Sequence, residues 1–274
     1  MAPPSVVGAL FESHGEDWVP TDFSRGPWDP DALHGGPVAA LVARAVERCE
    51  PDDDMGVTRL TLDLLRPVPL VPLTVTAAVT RPGRRVQIVD VGVSAQGRDL
   101  AWARALRIRR ISADTAVLEH PSPGPVPGHG PPAPRLPEQA DNQAPLFHRY
   151  RGFLSEGAHL RFVDGDGGEL GPAQVWVRLA VPVIEGETPS PLQRAVAAAD
   201  FGNGVSAVIP FERYVFINPD LTVYLERPPV GEWICLDAST RLGTPGRAVA
   251  HSRLFDVHGP IGRSLQSLVV APRD

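Results

Sequence analysis

Three short stretches of this chain carry residue types that could do chemistry. Asp200 follows Ala197-Ala198-Ala199 and precedes Phe201-Gly202. A carboxylate in such apolar company can be a buried acid, and a buried carboxylate suits a general base acting on water. Gln266 lies in a strand-like run beside Leu265, Leu268, Val269 and Val270. Its amide can hold a water or a carbonyl by hydrogen bond. His34-Gly35-Gly36 precedes a helix-like run. Two glycines let the backbone come close to a ligand, and a helix start offers free amides.

Other chemistries lack their residues. There is no G-x-S-x-G elbow, and the nearest fragment, Gly92 to Gly97, lacks the spacing. There is no H-E-x-x-H, no clustered His/Cys metal site and no G-x-G-x-x-G after a strand. All 26 basic residues are arginine, so a Schiff-base lysine and a phosphate-loop lysine are excluded. Arg84, Arg85, Arg241 and Arg247 sit near turns, where they either meet phosphates or are solvated surface charge. The net charge of -6 argues against a nucleic-acid partner. Cys49 and Cys235 make neither a disulfide framework nor a zinc cluster. No basic region with a long apolar run opens the chain, and no stretch approaches the ~20 apolar residues of a membrane span. The expectation is a soluble, cytoplasmic protein with no membrane partner.

The elements that must position these residues come as a repeat. A proline-rich stretch over 121–145, PSPGPVPGHGPPAPRLPEQADNQAP, reads as an extended linker. It divides the chain into domains at 1–120 and 146–274. Residues 60–69 read LTLDLLRPVP and residues 221–230 read LTVYLERPPV. Strand-like runs follow both: Leu73–Thr80, Arg85–Ser94 and Leu100–Arg109, then Trp233–Arg241, Ala248–Asp256 and Ser264–Val270. Pro-Gly, Gln-Gly and His-Gly pairs lie between them. One helix precedes each Leu-Thr strand: Gly36–Arg48, apolar all round, and Pro191–Asp200. Pro37 and Pro191 stand in the first turn of each. Each half thus reads as an antiparallel sheet wrapped around one buried helix, an α+β arrangement of the hotdog type.

The order of these motifs resembles the acyl-CoA thioesterase II family of double-hotdog, TesB-like enzymes. The motifs are His34-Gly35-Gly36, Ala199-Asp200-Phe201, Leu221–Leu225 running into Glu226-Arg227-Pro228, and Gly262-Arg263-Ser264-Leu265-Gln266. The resemblance implies a hydrolase acting on an acyl-CoA substrate, without an acyl-enzyme serine and without metal or other cofactor. It implies catalytic roles for Asp200 and Gln266. Counting back from Arg227-Pro228, the family's hydroxyl residue falls at Asn218, with Thr222 the nearest hydroxyl on the strand. His34, Gly35, Gly36 and Thr222 are expected to touch substrate. Backbone amides near the second helix start or at Asn203-Gly204 are expected to hold the oxyanion. The first half, with Ala39-Ala40 where Asp200 would fall, is expected to keep the shape and not the chemistry. The resemblance also implies a homo-oligomer. Two other readings are an acyl-CoA-binding protein without turnover and a hydratase, which needs an Asp/His pair; no histidine lies near Asp200 in sequence.

Overall fold

Two helices supply the interior around which the strands curve. In the computed structural model, which describes residues 8–111, 134–140, 147–164 and 167–273, α1 (Gly35–Arg48) is buried over most of its length, with Val38 to Ala43 and Val46 all inside. The reason is its sequence: GGPVAALVARAVER offers small apolar residues on nearly every face. His34 is its N-cap. Helix α2 (Pro191–Ala199) is capped by Ser190, whose Oγ accepts from Gln193 N at 3.1 Å. Asp200 is its C-cap, and a one-turn helix α3 (Gly202–Val205) follows. The two main helices lie antiparallel. Gly35 at the start of α1 meets Asp200, and Glu47 near its end meets Ser190.

The strands of the first half are β1 (Phe11–His14), β2 (Asp17–Pro20), β3 (Met55–Leu64), β4 (Leu73–Arg81), β5 (Val86–Ala95) and β6 (Arg98–Arg109). Those of the second are β7 (Ala158–Asp164), β8 (Ala173–Leu179), β9 (Tyr214–Ile217), β10 (Asp220–Leu225), β11 (Ile234–Leu242), β12 (Arg247–Asp256) and β13 (Gly259–Pro272). All join one antiparallel sheet, in the order β1-β2-β4-β5-β6-β3-β10-β13-β12-β11-β8-β7, with β9 paired to β13. This is the tandem hotdog expected from sequence. Two strands precede each main helix, and among the described residues α3 and β9 have no counterpart in the first half.

The join between halves is the β3–β10 pair. Thr222 pairs with Thr61, Leu221 with Leu62 and Val223 with Leu60. Thr61 and Thr222 are 161 residues apart, the offset of the sequence repeat, and their hydroxyls bond at 3.2 Å. The approximate twofold axis relating the halves therefore passes between these two threonines. One continuous core spans both halves, from Leu41 and Leu62 to Val196 and Leu221.

Most of the proline-rich stretch lies outside the described residues. Its described part packs on the second half: Pro137 is buried, and the Trp176 indole donates to the Arg135 carbonyl at 2.7 Å. Among the described residues, no helix is long and apolar enough to cross a membrane.

Candidate active site

Asp200 ends α2 with a carboxyl group only 3% exposed. A buried carboxylate needs donors, and the fold brings three. Asn218 Nδ2 donates to its Oδ1 at 2.8 Å. Gln266 Nε2 donates to the same oxygen at 3.2 Å. His34 Nδ1 stands 2.9 Å from Oδ2. Asn218 is held in turn through its donation to the Asp220 carbonyl at 3.2 Å. Gln266 is held through Oε1, which accepts from Asn203 N at 3.1 Å. Both amides are buried; Gln266 is fixed from both ends of its amide, and Asn218 by two bonds from its one nitrogen.

Three separate elements deliver these groups. Gln266 comes from the middle of β13. Asn218 lies not on a strand but in the two-residue turn Asn218-Pro219 between β9 and β10. His34 comes from the other half, at the start of α1. The glycines make that meeting possible. A Cβ on Gly35 would lie 2.7 Å from Asp200 Oδ2, and one on Gly36 would lie 2.8 Å from the Ala197 carbonyl oxygen. No larger residue lets the start of α1 sit this close to the end of α2.

His34 Nδ1 faces a second partner, the Gly36 amide, at 3.0 Å. One ring nitrogen cannot donate to Asp200 and accept from Gly36 at once. With Nδ1 protonated, the bond runs to the carboxylate and the Gly36 N–H is left free. The Asn203 amide, one of the donors expected from sequence for an oxyanion, is already taken by Gln266. The start of α2 lies at the far end of the helix pair, beside Glu47. Gly204, the other residue of that segment, lines the cavity beside Asn203, and the Gly36 amide adds a candidate donor from the first half. The histidine missing near Asp200 in sequence arrives from the same place.

A cavity of about 300 Å³ adjoins the cluster. His34, Phe201 and Asn203 form its inner wall, with Asp200 behind them. Five more aromatic residues line it, among aliphatic side chains, glycines and the carboxylates of Glu169 and Glu212. Trp28 packs on Phe211 with ring centroids 4.6 Å apart and edge-on to Phe216 at 5.0 Å; Tyr150 meets Phe211 at 5.0 Å. The Arg273 guanidinium lies 4.3 Å over the Phe211 ring. These lining residues were not picked out from sequence. In a chain only 6% aromatic, the grouping of Phe201, Phe211, Tyr214 and Phe216 is the signal that could have found them.

Of the residues singled out from sequence, Asp200, Asn218, Gln266, His34, Gly35 and Gly36 converge. Thr222 does not. Its hydroxyl bonds Thr61 at the axis, and it takes no part in the Asp200 cluster. Arg84, Arg85, Arg241 and Arg247 are exposed.

Comparison with known proteins bears on the whole chain. The model of the acyl-CoA thioesterase N-terminal domain matches residues 24–109, and that of the acyl-CoA thioesterase C-terminal domain matches residues 127–270. A hot-dog-fold protein from Alicyclobacillus acidocaldarius superposes with TM-score 0.70 at 16% identity, covering 96% of each chain. Acyl-CoA thioesterase II TesB2 from Mycobacterium marinum superposes with TM-score 0.65 at 19% identity, covering 89% of this chain and 93% of that one. At such identities the likeness establishes the fold. A search of curated proteins returns no match. The two domain matches cover one hotdog each, and by them the chain belongs to the acyl-CoA thioesterase family.

Proposed function

We propose that this protein hydrolyses an acyl-CoA thioester to a carboxylic acid and coenzyme A, using the Asp200 cluster. The observation that carries the reading is the convergence of two side-chain amides and one imidazole on a single buried carboxylate beside an aromatic cavity. The acyl group occupies that cavity. Its volume is at the small end for ligand sites.

In this reading Asp200 and His34 act as one acid–base unit. Asn218 and Gln266 hold Oδ1 and leave Oδ2 to His34. A water gives its proton to the pair as its oxygen attacks the thioester carbonyl carbon. The carbonyl oxygen gains negative charge and accepts from the Gly36 amide at the positive end of α1. Such a donor is worth about 3 kcal/mol in the transition state. The tetrahedral intermediate then collapses, the carbon–sulfur bond breaks, and the thiolate leaves with the proton returned by the pair.

Thiol release from acyl-CoAs of graded chain length tests this. Wild type should release thiol, and Asp200→Asn should lose on the order of 100-fold or more in kcat. No release at any length, with acyl-CoA still bound, would leave a binding protein without turnover.

One observation favours a second reading. The 2.9 Å approach of His34 to Asp200 is the Asp/His pair that hydration of a carbon–carbon double bond requires. Crotonyl-CoA, followed by the loss of its enoyl absorbance, separates the two: hydration without thiol release would identify a hydratase.

A further inference from the structure

The helix pair has two ends, and the Asp200 cluster occupies only one. At the other end Glu47, in the last turn of α1, meets the start of α2. Ser190 Oγ donates to Glu47 Oε2 at 2.8 Å, and Gln193 Nε2 donates to the same oxygen at 3.0 Å. Comparison of Ala39-Ala40 with Asp200 led to the expectation of no carboxylate in the first half. Helix α1 runs on for about two turns beyond those alanines, and Glu47 supplies one. Burial pushes its carboxyl above the usual range, against the bonds from Ser190 and Gln193 and the charges of Arg107 and Arg48. Among the described residues, Oε1 accepts no hydrogen bond.

Glu47 lines a cleft of about 620 Å³, twice the volume of the aromatic cavity. Its apolar wall includes Met55, Val57, Leu192 and Leu225. The buried Arg107 guanidinium closes the end of α1 by donating to the carbonyls of Val46, Cys49 and Glu50. Arg109 and Arg110 stand at the edge. Arg109 pairs with Asp52 and Asp54, while Arg110 is exposed and makes no ion pair among the described residues. The cleft thus combines an apolar wall, a carboxyl with a free oxygen, and an edge of mixed charge, where Asp52, Asp53 and Glu226 stand among the arginines and Arg110 is the exposed cation.

The twofold axis shows what this end lacks. The 161-residue offset maps Asn218 onto Val57 and Gln266 onto Ala105. The strand register agrees: Gln266 pairs with Ala250 on β12, and Ala105 pairs with Val89, the counterpart of Ala250, on β5. Neither Val57 nor Ala105 can donate to a carboxylate or hold a water.

From this we infer that the Glu47 cleft is a second acyl-CoA site, one that binds the thioester without hydrolysing it. The inference rests on the acyl-CoA reading of the first site. The acyl chain lies along Val57 and Leu225. The phosphates meet Arg110. The thioester carbonyl lies at the Glu47 carboxyl, whose Oε1 has no partner among the described residues, and no oriented water stands ready to attack it.

Calorimetric titration with decanoyl-CoA, below its micellar range, tests this on Asp200→Asn, which removes turnover. Two molecules should bind per chain. Adding Val57→Trp, which fills the cleft, should leave one. Adding Arg110→Glu instead should weaken the second site at least tenfold and leave the first unchanged. Should Val57→Trp fold poorly, the exposed Arg110→Glu still carries the test. One molecule bound to Asp200→Asn overturns the inference and leaves the acyl-CoA reading standing. So do two molecules insensitive to both changes. None bound overturns both.

Discussion

His34 is where a choice of proton position decides what the site can do. When Nδ1 accepts from Gly36, the residue is a helix cap. When Nδ1 carries a proton for Asp200, it is half of an acid–base pair whose ring walls the cavity. The two roles predict different outcomes for His34→Gln. A cap alone would cost about 1 kcal/mol of stability and little activity. Membership of the pair predicts a fall of about 100-fold in kcat with KM nearly unchanged. Steady-state kinetics beside a thermal melt distinguishes them, and we expect the fall in kcat. A drop in melting temperature with kcat within tenfold of wild type would reduce His34 to a cap.

At the scale of the elements, the repeated Arg-Pro pair ties each central strand to a neighbouring hairpin, by different means in each half. Arg66 donates to the Asp99 carbonyl at 2.6 Å. Arg227 forks onto the Asp256 carboxylate at 2.5 and 2.6 Å, and the amides of Val230 and His258 donate to the same group, each at 2.8 Å. Burial would raise the Asp256 carboxyl, but Arg227 and the two amides outweigh it and hold it below the usual value. A carboxyl lowered in the folded state stabilises the fold above its unfolded pKa, and that contribution is lost as pH falls through the folded value. Asp256→Asn should therefore cost about 1–3 kcal/mol at pH 7 by chemical denaturation. The gap should narrow below about pH 4. A gap of equal size at pH 7 and pH 3 would refute the brace. The repeat of Leu-Thr strand and Arg-Pro was legible in the sequence, because alternation and proline punctuation are local signals. So were both helices, to within a residue at each end. The turn that aims Asn218, the strand β9 before it and the single turn of α3 were not. Each is too short for its periodicity to register, and each is fixed by packing against β13 and β11 rather than by its own sequence.

At the scale of the whole molecule, the halves share both a sheet and a core. The β3–β10 seam lies mid-sheet, and α1 packs on α2 within one apolar cluster. Neither half has a complete interior without the other. Unfolding should be a single transition, with the far-ultraviolet circular dichroism and tryptophan fluorescence curves coincident. Trp18 and Trp102 report on the first half, Trp176 and Trp233 on the second, and Trp28, packed on Phe211 and Phe216, on the contact between them. Two separated transitions would show that each half holds its own core. The same sharing explains what the sequence concealed about the site. Asp200, Asn218 and Gln266 could be read from one half, whereas His34 reaches Asp200 only through the antiparallel helix pair. Thr222, which looked like a site residue by proximity in sequence, proves to mark the axis.

That axis has a consequence for heredity. In a dimer of identical single hotdogs, one codon writes both ends of the helix pair, so any change at one active centre is copied to the other. Here the threonine pair joins halves with separate codons. Asparagine and glutamine can stand at 218 and 266 while valine and alanine stand at 57 and 105. Covalent linkage thus frees the two ends to diverge, so that the amides that hold Asp200 can be kept at one end while the other changes without cost to the first.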